Sequence, residues 1–131
     1  MGKSFIIVAG ISGFLAVALG AFGAHGLEGK LTPELLDIYK TGVLYHLIHS
    51  TLLAVLAVTA TEGFKKTFYF IAAGIVLFSF SLYIYSTTGI KWFAMVTPFG
   101  GVAFLIGWVM LIVEGLKVRK YVELKKNQNS E

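Results

Sequence analysis

Cysteine is absent from the 131 residues, proline occurs twice, and charged residues make up only 14%. Without cysteine there is no disulfide, no thiolate nucleophile and no thiolate metal site. So few charges cannot cover the surface of a small soluble domain that is 56% hydrophobic, with a mean hydropathy of +0.79. The charges that exist are also clustered. Stretches 4–27, 41–61, 67–90 and 92–113 hold no Asp, Glu, Lys or Arg. A membrane-spanning helix takes about 20 mostly apolar residues, and each stretch is long enough. The expected fold is all-α: a polytopic membrane protein with four transmembrane helices in an antiparallel bundle. It forms a single membrane domain, 1–131, with spans at about 4–25, 41–61, 67–88 and 92–115 and a charged cytoplasmic tail over 116–131.

A pI near 9.4 could point to nucleic acid. The basic residues instead flank the apolar stretches and thicken in the tail, at Lys117, Arg119, Lys120, Lys125 and Lys126. That placement is an orientation signal facing the lipid bilayer, and no nucleic-acid partner is expected. The first stretch exceeds the apolar core of a signal peptide, about 7–15 residues. It is therefore expected to stay as a span, although Ala21-Phe22-Gly23 resembles a small-residue cleavage site.

Polar punctuation defines the connections. Gly20-Ala21-Phe22-Gly23-Ala24-His25-Gly26-Leu27 closes the first span, and Tyr45-His46-Leu47-Ile48-His49-Ser50 lies in the opening turns of the second. Between them Thr32-Pro33-Glu34 has the order of an N-cap, a first-turn proline and an acid at a helix start. It predicts a short amphipathic segment along the membrane surface in the first outer loop. Thr97-Pro98-Phe99-Gly100-Gly101 predicts a kink in the fourth span. Gly13, Gly20, Gly23, Gly26, Gly100, Gly101 and Gly107 are expected to let helices approach closely in lipid.

With four spans, Lys3, Lys65, Lys66 and the five basic tail residues share one side, against Lys30, Lys40 and Lys91 on the other. The positive-inside rule then places both termini in the cytoplasm of a cell-membrane protein. It also puts His25, Tyr45, His46, His49, Ser50, Tyr83, Lys91, Trp92, Thr97 and Pro98 toward the outer face, in one polar layer within about two turns of the surface. Intramembrane polar groups are candidates for function by default.

Five ordered motifs carry a resemblance: residues 20–27, Tyr45-His46-x-x-His49, Ser81-Leu82-Tyr83, Gly89-x-Lys91-Trp92 and Thr97-Pro98-x-Gly100-Gly101. Together, over about residues 4–115, the chain resembles the YgdD/YwdK-like family of small four-span integral membrane proteins of unknown function, which has a related small transmembrane protein in animals. Lys91 stands where relatives often have arginine. The resemblance implies an inner-membrane helical protein and brings no catalytic residue, substrate or cofactor.

The leading expectation is a structural or accessory membrane component, not an enzyme and without a cofactor. In it the histidines hydrogen-bond across helices, and any partner is another copy or another membrane protein. The alternative is binding or transport of a small molecule, ion or lipid through an outward-facing pocket. A metal or haem protein is the third reading, since His46 and His49 share a helix face and His25 could add a ligand. The only carboxylates near them to serve as supporting partners are Glu28, Glu34 and Asp37 in the loop.

Overall fold

The computed structural model describes residues 2–59 and 62–128. Residue 61, the expected end of the second span, and residues 129–131, the end of the expected cytoplasmic tail, lie outside them. The described chain is helical almost throughout. Helix α1 is Lys3–His25 and α2 is Pro33–Thr59. The third helical stretch, α3, runs over Glu62–Thr88, and α4 is Lys91–Gln128. All four are long and apolar enough to cross a membrane, and with no water in the bilayer core a helix is the form that satisfies its own backbone.

Local chemistry explains where each helix begins and ends. The Gly26 N–H closes α1 on the Phe22 carbonyl at 2.6 Å. Thr32 Oγ1 accepts the Leu35 N–H at 3.3 Å, Pro33 takes the first helical position, and Glu34 follows in the first turn. The amphipathic stretch therefore exists, but it continues into α2 without a break. It is the first part of one continuous helix, Pro33–Thr59, and not a separate segment in the loop. Gly89, at φ 71°, ends α3 in the left-handed conformation and turns the chain within two residues into α4.

α3 is not uniform. A 3₁₀ turn, Glu62–Phe64, leads into α-helix Lys65–Gly74, a π-helical segment Ile75–Phe80, and α-helix Ser81–Thr88. Nothing in the composition of Ile75–Phe80 marks it. α4 runs through Pro98 as one continuous helix.

α2 and α3 form the middle, with α1 packed on α2 and α4 packed on α3. Half of the α3 span is buried inside the protein, against 11% of the α1 span. The outer helices therefore present most of their surface to lipid. One apolar core joins Leu53 and Leu56 of α2 to Phe68 and Ile71 of α3 and Phe104 of α4; a smaller one gathers Leu27, Tyr39 and Tyr83. Gly100 brings α4 onto the π-helical segment itself. A Cβ at Gly100 would stand 2.3 Å from the Phe78 nitrogen and 2.6 Å from the Leu77 carbonyl carbon.

Candidate functional site

The polar side chains of the spans fall into three groups. The first crosses three helices. Ser50 Oγ of α2 lies 2.6 Å from Ser12 Oγ of α1, and Ser12 Oγ lies 3.3 Å from His46 Nε2. His46 Nδ1 in turn lies 3.1 Å from the Tyr83 hydroxyl of α3. His46, Ser50 and Tyr83 are all buried. Nearby, the Tyr39 hydroxyl donates to the Leu19 carbonyl at 2.7 Å and fastens the start of α2 to the end of α1.

The second group centres on His49. Nδ1 lies 2.7 Å from the Tyr45 carbonyl, which can only accept, and Nε2 lies 3.2 Å from the Trp108 indole nitrogen, which can only donate. These two bonds require the neutral imidazole with its proton on Nδ1. The ring also stacks on Phe104 at 3.6 Å between centroids and 12° between planes.

The third group sits where two irregular backbones meet. Ser81 Oγ donates to the Phe78 carbonyl of the π-helical segment at 2.8 Å. Thr97 Oγ1 lies 2.7 Å from Ser81 Oγ and 3.2 Å from the Phe93 carbonyl, just before Pro98. With the Ser81 proton on the Phe78 carbonyl, the single proton of Thr97 goes to Ser81 Oγ and ties α4 to α3.

The layer expected from sequence is therefore only partly assembled. His46 joins Ser50 and Tyr83, His49 joins Tyr45, and Thr97 finds Ser81. His25 is exposed at the end of α1 and meets neither of the other histidines; Lys91 and Trp92 are exposed at the start of α4, and Pro98 is exposed. Depth also differs. Ser12 lies roughly 20 Å along α1 from His25 at about 1.5 Å per residue, so the His46 group reaches deep into the bilayer and not two turns. His46 and His49 engage partners on different helices, so the two imidazoles do not converge on one point. Among the described residues no three of His, Cys, Asp and Glu gather into a set that could hold a metal ion.

Among the glycines, Gly20, Gly23 and Gly107 face neighbouring side chains closely, and Gly26 faces Phe22 of its own helix. Gly13 borders open space, and a Cβ at Gly101 would make only ordinary contact with Phe78, at 3.9 Å. The partners that sequence reasoning missed are Ser12, Trp108 and Ser81 as the mate of Thr97. A lone serine inside an apolar span and a tryptophan far from either interface were the available signals.

A family model described as "Protein of unknown function (DUF423)" matches residues 19–101. The chain belongs to this family. The match carries His46, His49, Tyr83 and Thr97. The DUF423 chain is also 48% identical over 120 residues to the UPF0382 membrane protein YwdK of Bacillus subtilis, covering 88% of this chain and 98% of that one. It is 40% identical over 122 residues to the UPF0382 inner membrane protein YgdD of Escherichia coli, covering 90% and 93%. No solved structure matches it. These similarities and the four apolar helices establish a small multi-pass membrane protein.

Proposed function

We propose that this DUF423 protein is a structural or accessory component of the cell membrane that acts through its lipid-facing surfaces. On this reading the polar groups between its helices are a lock, not a reaction centre. The observation that supports this is the run Ser50–Ser12–His46–Tyr83, in which both imidazole nitrogens are engaged and three helices are tied at one point. In lipid, apolar side chains give no net drive for helices to associate, so such bonds and close packing hold a bundle in one arrangement. Each is worth about 0.6 kcal/mol on average. The distribution of Lys and Arg supports an orientation with both termini in the cytoplasm. A reporter fused after Glu131 is expected to behave as cytoplasmic, and an extracytoplasmic signal would refute that orientation.

The lock is tested by His46→Phe and His49→Phe in purified protein. Each keeps an aromatic ring and removes the nitrogens. The expected result is a lower melting temperature in detergent with metal content and visible spectrum unchanged. One equivalent of metal or haem that disappears with either substitution would overturn the reading.

A second reading, ligand binding, is favoured by one surface: a groove of about 450 Å³ where α2, α3 and α4 meet, bordered by Tyr45, Phe78 and Trp108.

A further inference from the structure

We infer that this groove is a binding site for a flat, oxygen-bearing ring dissolved in the bilayer, the chemistry of a quinone headgroup. The inference rests on the second reading above and uses none of the Ser50–Ser12–His46–Tyr83 run. Tyr45, His49 and Phe104 form a set of nearly parallel rings: Tyr45 and His49 are 17° apart, Tyr45 and Phe104 29°. Phe78 stands 4.5 Å from Tyr45 and 5.6 Å from Phe104 between centroids, and Trp108 closes the far side over His49. Gly101, which offers no side chain, leaves the Phe78 ring uncovered from the α4 side. A groove bordered by the partly exposed rings of Tyr45, Phe78 and Trp108 suits another ring, because aromatic pairs gain attraction beyond their buried area. A lipid tail has no face to stack.

One polar group favours an oxygen on that ring. The Tyr45 hydroxyl, on a side chain 39% exposed, makes no hydrogen bond within the described protein. It is a donor in a medium with no water to accept from it. A donor at the groove matches a carbonyl of a quinone. The site as drawn is for binding alone.

The protein has two tryptophans, Trp92 and Trp108, and quinones quench indole emission on contact. The test uses full-length protein in phosphatidylcholine nanodiscs, titrated with a decyl-substituted benzoquinone. In Trp92→Phe protein, where Trp108 alone reports, quenching is expected to saturate. Half-quenching should come at a concentration about tenfold below that for Trp92 in Trp108→Phe protein, which reads partition into lipid only. Gly101→Leu should fill the groove and erase the difference. Tyr45→Phe, which keeps the ring and the fold, should weaken binding several-fold. Equal quenching of the two tryptophans overturns the proposal. So does quenching indifferent to both substitutions, or equal competition by a decyl alcohol, which would make the groove a seat for an alkyl chain.

Discussion

Gly100→Ala is expected to cost about 3 kcal/mol, at the upper end of what one extra core methyl ordinarily costs, and Gly101→Ala next to it close to nothing. At Gly100 the added carbon meets the Phe78 nitrogen at 2.3 Å and the Phe78 Cα at 2.7 Å. Those atoms are backbone and cannot rotate away, so α3 and α4 must separate. Their separation would also pull Ser81 from Thr97. At Gly101 the nearest atoms are ring carbons of Phe78 at 3.9 and 4.0 Å, an ordinary contact. There the helix-propensity gain of alanine over glycine, about 1 kcal/mol, offsets any crowding. Thermal unfolding of the two variants in one detergent checks this directly. Similar melting temperatures for both would mean that α4 does not sit on the π-helical segment.

The four spans were legible because bilayer thickness leaves its mark as charge-free stretches, and the start of α2 because Thr32-Pro33-Glu34 meets the needs of a helix N-terminus. Depth was not legible. Counting turns from the ends of the charge-free stretches ignores that α2 starts at Pro33, eight residues before its own stretch begins. Those residues hold Tyr39 against Leu19 and Gly23 and shift the register of α2 along α1. That register brings His46 to Ser12. His25 looked like a member of the layer because it is a histidine at a helix end; with α1 at the periphery, its side chain turns outward.

The π-helical segment was also hidden, since Ile75–Phe80 contains no proline or glycine to flag it. Its trace is on the partner helix. Gly100 removes the atoms that would collide with Phe78, and Thr97 supplies the hydroxyl that meets Ser81. Ser79, inside the segment, is fully buried and its hydroxyl has no partner. An irregular backbone is tolerated at membrane depth only where protein covers it, and here α2 covers it from the Gly42 side and α4 from the Gly100 side. The motif Thr97-Pro98-x-Gly100-Gly101 is therefore best read as the complement of a distortion in α3, and the kink expected from Pro98 alone misses its role.

The second large effect concerns the lock. His46→Leu is expected to destabilise the protein by about 2 kcal/mol, because it strips a partner from both Tyr83 and Ser12 at once and each buried group left unpaired costs about 1–3 kcal/mol. Ser12 retains Ser50 at 2.6 Å, which limits its share of the loss. Tyr83→Phe should cost about 1 kcal/mol, since it removes only the hydroxyl. The double variant should cost about the same as His46→Leu alone, because with the imidazole gone the Tyr83 hydroxyl has no bond left to lose. The resulting coupling, about 1 kcal/mol, lies within the range measured for hydrogen bonds between membrane helices. A double-mutant cycle on unfolding in mixed micelles reads it. If the two substitutions simply add, the 3.1 Å contact between His46 Nδ1 and the Tyr83 hydroxyl contributes no stability. The bundle would then be held by its glycine contacts and its apolar core, and the buried histidine would need another reason to be there.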